Sequence, residues 1–191
     1  MLSLCEAVER ILLPDDIRMR ALKAVQLLNL PDCWICAGFV RDAIWDSLHG
    51  YPTSPPSNDV DVVWFDQQQI GIDEKLESEL KTIDPDFIWS VKNQAMMHLR
   101  NADNPYLSVS HAMQSWPETA TAIAVRLTYN GKLQVNAPFG LDDLFALKLR
   151  PTSAFKSQKR GLFLDRVVRK QWLSRYPNLQ LEIPEDSAML K

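Results

Sequence analysis

DVDVVWFD (residues 59–66) is the stretch on which the fold turns. β-Branched and aromatic residues dominate it, so it reads as a strand. Asp59 and Asp61 are two apart, so their side chains leave the same face. Val60 and Val62 leave the other face, toward a core. Two carboxylates held side by side repel each other unless a cation lies between them. Oxygen-only ligands suit Mg²⁺ or Mn²⁺. A pair of such ions can clamp a triphosphate and activate an attacking hydroxyl. By itself, D-x-D is also what an exposed strand with incidental aspartates looks like.

Upstream, DCWICAGF (32–39) reads as a short buried strand over 33–37, broken by Gly38, with a helix over 39–49. A small-residue step at Ala37-Gly38 lets the backbone approach a phosphate, and the following helix start turns free N–H groups toward an anion. A tight strand-to-helix turn explains the same residues without a ligand. Arg41 and Asp42 fall in the first turn of that helix. Arg41 is placed to reach a triphosphate or to pair with Asp59, and Asp42 complements the helix N-terminus. A structural salt bridge accounts for either equally well. Cys33 and Cys36 form C-x-x-C, but no second Cys/His pair stands at ligand spacing. Residues three apart on a strand point to opposite faces, so buried free thiols are expected, in a reducing compartment.

Outward from this centre, helices are expected over 3–12 and 15–28, the second opened by Pro14 and two aspartates. YPTSPPSN (51–58) is a loop by composition. A surface helix over 72–82, a strand over 87–94, a loop over 101–106 and a short helix over 110–116 follow. TATAIAVRLT (119–128) and KLQVNA (132–137) flank Tyr129-Asn130-Gly131, a strong hairpin signal. Helices are expected over 141–150 and 158–175, then an irregular tail of about a dozen residues. The plan is α+β, a small mixed sheet flanked by helices. It divides into N-terminal helices (1–30) packing on a core (31–150), with a C-terminal helix and tail (151–191), together one compact domain.

The chain has 191 residues, a formal net charge of −3 and a pI near 5.6. That balance argues against an extended nucleic-acid surface. A basic run (Lys148, Arg150, Lys156, Lys159, Arg160, Arg166, Arg169, Lys170) is either a local patch or a solvated helix face, and the second is the commoner use of such runs. No apolar run is long enough for a membrane helix, and the first residues are not a signal peptide, so a cytoplasmic protein is expected. The three histidines form no metal-binding spacing, and no G-x-S-x-G nucleophile motif occurs.

AGFVRDAIWDSLHG (37–50) followed by NDVDVVWFD (58–66) resembles the CCA-adding and poly(A) polymerase branch of the DNA polymerase β-type nucleotidyltransferase superfamily. That branch reads G-G-x-V-R-D, a helix, then D-x-D on the next strand. Ala37-Gly38 stand at its two small residues, Val40, Arg41 and Asp42 match V-R-D, and Asp59 and Asp61 match the metal-binding pair. LQVNAPFGLDDLFALKLR (133–150) is similar to its D-P-F-G-G-x-x-D-L stretch, at Pro138, Phe139, Gly140, Asp143 and Leu144. The overall run also resembles a small, mostly bacterial family of nucleotidyltransferase-like proteins. The resemblance covers roughly 33–150. It implies a polymerase β palm-like fold, an NTP substrate, Mg²⁺ (or Mn²⁺), and transfer of a nucleoside monophosphate to a hydroxyl.

Two departures stand out. The superfamily carries a third carboxylate on a later strand, where it ligates metal or helps deprotonate the acceptor. FIWSVKNQ (87–94) offers Lys92, Asn93 and Gln94 instead. Glu118, expected to open the next core strand with Thr119 to Ala122 upon it, is the substitute candidate. Lys92 and Asn93 are candidates for contacting phosphate or acceptor, although strand alternation lets only one line the site. Lys92 is equally an edge-strand gatekeeper. The paired arginines that precede the acid in the branch are replaced by Trp116 and Pro117. RNA-tailing relatives carry extra helical domains, and only about forty residues follow the core here, so a small-molecule or protein acceptor is expected over RNA. The alternative is a weakly active or inactive nucleotide-binding module of the same fold.

Overall fold

The computed structural model describes residues 2–56, 59–157 and 159–183. The chain opens with helices α1 (Leu4–Leu12) and α2 (Asp16–Leu27). Ser3 caps α1 in a capping box with Glu6, and the Asp15 carboxylate caps α2 by accepting from the Arg18 N–H. Strand β1 (Trp34–Cys36) runs into helix α3 (Gly38–Leu48), followed by strand β2 (Val60–Trp64). Helix α4 (Asp73–Ile83) leads to strand β3 (Trp89–Asn93). Short helices α5 (Met97–Asn101) and α6 (Val109–Met113) precede the hairpin of β4 (Ala124–Leu127) and β5 (Leu133–Asn136). The C-terminal part contains α7 (Asp142–Phe145), β6 (Lys148–Leu149), α8 (Arg160–Lys170), α9 (Trp172–Arg175) and β7 (Gln180–Leu181). The expected α+β plan with a mixed sheet is what the chain adopts.

Five strands form the main sheet in the order β3-β2-β1-β4-β5. β2 and β3 are parallel, and the other neighbours are antiparallel. One face carries Ile35, Val60, Val62, Trp64, Val91 and Val125 into the main core, with Val8, Leu12, Leu22, Val40, Ile44, Leu80, Phe163 and Val167 from the helices. The other face carries Trp34, Cys36, Val63 and Ala124 into a smaller cluster with Val109 and Met113 of α6. Asp61 alternates with Val60 and Val62, so it belongs to this second face.

The free edge of β3 is closed by α4. The Val91 N–H donates to Glu77 at 2.8 Å, and the Asn93 N–H donates to Asp73 at 3.1 Å. Edge strands left bare invite pairing with other chains.

Several expected elements differ. The helix over 141–150 is reduced to Asp142–Phe145, because Leu147 turns left-handed (φ 55°) and the next two residues pair in parallel with Gln180–Leu181. The tail is therefore ordered there rather than irregular; 184–191 lie outside the described residues. The helix expected over 158–175 breaks at Gln171 (φ 51°) into α8 and α9, and its expected start, Gln158, is not among the described residues. Thr119–Thr121 form a 3-10 turn, so the strand begins only at Ala124. Helix α5 was not anticipated. Among the described residues, no helix is long and apolar enough to cross a membrane.

Candidate active site

Asp59 precedes β2 and is exposed, while Asp61 lies on β2 and is partly buried. The Val60 N–H donates to the Ile88 carbonyl at 2.7 Å, and the Cys36 thiol donates to the Asp61 carbonyl at 3.4 Å. Backbone pairing thus fixes the aspartates from both sides. Burial pushes the Asp61 carboxyl up to about 6, and the charge of Asp59 pushes it the same way. Lys170, Arg166 and Arg41 pull it down. A second carboxylate and three cations therefore act on this one group. The Cys36 thiol beside it, and Cys33 in the main core, are inert: burial raises Cys33 to about 12 and Cys36 well above its ordinary value, and neither is in a disulfide.

Ala37 joins β1 to α3 at φ 53° and ψ −117°, a conformation suited to glycine. Its N–H donates to the Ile123 carbonyl at 2.9 Å, and its carbonyl accepts from the Val40 and Arg41 N–H groups. These bonds hold it in a region that costs about 1–3 kcal/mol for a residue with a Cβ. A Cβ at Gly38 would lie 3.3 Å from the Arg41 Nη2 atom, so Gly38 keeps this corner narrow. Arg41 is buried. It donates to Asp42 through Nε (2.9 Å) and Nη2 (2.6 Å), and its guanidinium lies 5.3 Å from the Trp45 ring and 4.7 Å from that of Trp172. The structure thus gives Arg41 a salt bridge to Asp42 and, through its charge, an influence on Asp61.

Glu118 does not open a strand. It precedes the 3-10 turn and bridges to Pro151. Its carboxylate is fully buried and accepts from Arg166 Nε at 2.9 Å and Thr121 Oγ1 at 2.7 Å. Among the described residues, no three or more His, Cys, Asp or Glu side chains are grouped to hold a metal ion, so Glu118 is not gathered with Asp59 and Asp61. Lys92 and Asn93 are engaged elsewhere. Lys92 pairs with Glu77 at 3.0 Å along the sheet edge. The buried Asn93 amide donates to the Asp66 and Gln69 carbonyls and accepts from the Asp66 and Ala95 N–H groups, which pins the loop after β2.

Sequence reasoning met Arg166 and Lys170 only within a basic run read chiefly as a solvated helix face, and passed over Trp172. The available signal was spacing: Arg166 and Lys170 are four apart on a helix, hence on one side of it. As donors, Asp59 and Asp61 fit a hard divalent cation. They offer only oxygens, and positive charge between them would relieve the repulsion that raises Asp61.

Residues 23–181 match the model of a protein family described as Nucleotidyltransferase. A comparison with curated proteins gives no match. Among solved structures, an NMR structure described as revealing a CCA-adding enzyme head domain is similar at 29% identity and a TM-score of 0.81, over 94% of this chain and 96% of that one. A CCA-adding enzyme in complex with CTP superposes with a TM-score of 0.57 at 16% identity, over 92% of this chain and 43% of that one. The Thermotoga maritima CCA-adding enzyme complexed with tRNA gives 0.53 at 17%, over 86% and 38%. The chain spans less than half the length of these last two, and at their identities the likeness shows the fold alone.

Proposed function

The chain belongs to the nucleotidyltransferase family, and from that premise we propose that it moves a nucleoside monophosphate from an NTP to a hydroxyl of a small molecule or protein, with Mg²⁺ or Mn²⁺ held at Asp59 and Asp61. The observation that carries this reading is geometric: Asp59 and Asp61 stand at the start of β2, which pairs with β1, the strand that runs into the Ala37–Gly38 corner and α3. Two carboxylates this close repel each other, and a divalent cation between them relieves the repulsion. When bound, the metal neutralises charge on the phosphoryl group and activates the attacking hydroxyl.

The chain's own residues bind and orient. Asp59 and Asp61 hold the metal. Ala37 and Gly38 bring the start of α3 toward the phosphates, with the Gly38 and Phe39 N–H groups ahead of those that the Ala37 carbonyl engages. Arg41 adds a fixed positive charge. The acceptor hydroxyl gives its proton to solvent, its oxygen bonds to the α-phosphorus as the bond from that phosphorus to the α,β-bridging oxygen breaks, and pyrophosphate leaves. Rate enhancement then comes from positioning and charge stabilisation. The net charge of −3 supports a small or protein acceptor over RNA.

A second reading, a nucleotide-binding module with little or no turnover, is favoured by the burial of Glu118 away from the pair. One experiment separates the two. The protein is incubated with α-labelled NTPs, Mg²⁺ or Mn²⁺, and a cell extract. Label transfer that disappears in Asp59→Asn and Asp61→Asn supports the enzyme. Tight NTP binding with no transfer under either metal selects the module.

A further inference from the structure

Trp172, the first residue of α9, touches two guanidinium groups. Arg41 Cζ is 4.7 Å from its ring and Arg166 Cζ is 5.5 Å away. Each arginine has its own buried carboxylate: Asp42 for Arg41, and Glu118 for Arg166. The arginines come from distant parts of the chain, α3 and α8, and the indole is the wall they share.

Glu118 is the costlier anchor. A buried carboxylate is expensive unless paired and hydrogen-bonded. This one accepts from Thr121 Oγ1 and from Arg166 Nε, while the backbone bridge to Pro151 fixes the residue that carries it. Arg166 is bound only through Nε. Among the described residues, no hydrogen bond engages its two terminal nitrogens, and its side chain is 29% exposed. A guanidinium fixed at one edge, with a face against an indole, keeps its outer donors for two oxygens of an oxyanion such as a phosphate. Through the shared indole Arg166 stands beside Arg41, whose Nη2 atom lies against the Gly38 corner, so these outer donors belong to the surroundings of that corner.

We propose that Arg166 contacts the β- and γ-phosphates of the NTP, and the pyrophosphate that leaves, and that Glu118 is the positioning residue that aims it. Arg41 and Trp172 form the opposite side of the same clamp. The inference rests on the nucleotidyltransferase reading above. It makes α8 and α9 part of the nucleotide site.

The test is titration calorimetry on the full chain with each of ATP, CTP, GTP and UTP plus Mg²⁺, and with the matching monophosphates. Arg166→Met alone would strand a buried Glu118. The informative variant therefore combines Glu118→Leu with Arg166→Met, replacing the ion pair by apolar groups, with folding checked by a cooperative melt. Its NTP affinity is expected to fall about tenfold or more, and its monophosphate affinity by less than about threefold. In turnover, Glu118→Gln is expected to raise KM for NTP about tenfold with kcat within about threefold of wild type. Arg169→Met, on the same helix, is expected to stay within about twofold of wild type for NTP. A folded double variant that binds NTP as tightly as wild type overturns the inference and leaves the family reading standing. If the double variant does not fold, unchanged NTP affinity in Arg166→Lys overturns it as well. Wild-type protein that binds none of the four NTPs overturns both readings.

Discussion

At Asp61, burial and the charge of Asp59 hold the carboxyl near 6, against an ordinary 3.8. An acid whose folded pKa exceeds its unfolded value favours the fold when protonated. Its stabilising contribution is full below about pH 4 and is lost as pH rises through about 6. Asp61→Asn removes this dependence. The variant is expected to be more stable than wild type by about 2 kcal/mol near pH 7, with the difference closing toward pH 4. Urea midpoints at several pH values measure it, and a gain that does not change with pH contradicts it. Ala37 poses a different residue-scale question, since its φ of 53° suits glycine. Ala37→Gly is expected to gain about 1 kcal/mol despite the added freedom of the unfolded chain, and a lowered melting temperature would refute the strain. The face of Asp61 was readable from a strand's period of two, whereas the start of β2 at Val60, which leaves Asp59 just ahead of the strand, was not. Arg166 and Lys170 were not, because a basic run looks the same in sequence whether it faces water or a carboxylate pair. Glu118 was misplaced for a related reason: the 3-10 turn after it has no strong local signal.

Among the elements, α4 and β3 depend on each other through one side chain. The Asp73 carboxylate accepts from Trp64 Nε1 at 2.9 Å and from the Asn93 N–H at 3.1 Å. The indole is fully buried, so losing its acceptor leaves a buried donor unsatisfied. Asp73→Ala is expected to cost about 2 kcal/mol in chemical denaturation. It is also expected to increase light scattering on storage, because the β3 edge loses part of its cover. A variant with wild-type stability and no added scattering would show that Glu77 alone closes the edge. Period and turn chemistry were enough to place α1 to α4, β1 to β3 and the hairpin in the sequence. They were insufficient at 141–150, where Leu147 leaves the helix and Lys148–Leu149 find partners at Gln180–Leu181, more than thirty residues away. Pairing at that range leaves no trace in a local window.

For the whole molecule, the question is whether α8 and α9 are an appendage or part of the body. Phe163, Val167, Trp172, Tyr176 and Leu179 lie in the main core. The Tyr176 hydroxyl donates to the buried Asp46 at 2.9 Å, and burial raises its pKa far above the ordinary value. The family match likewise runs on to residue 181. A chain cut after Lys159 would expose the apolar surfaces that these side chains cover. It would also leave Glu118 buried with no guanidinium, and would remove two of the three cations that pull Asp61 down. Each loss falls on a different element of the core, so the effects add rather than stay local. The full chain is therefore expected to melt in one transition, with circular dichroism and tryptophan fluorescence coinciding. The truncated chain is expected to show no cooperative melt and to bind no NTP. A truncated chain that melts sharply, with native-like tryptophan emission, would mean that the core up to Lys159 is self-sufficient. The placement of Arg166 and Lys170 near the aspartates would then be a consequence of docking, not a condition for the fold.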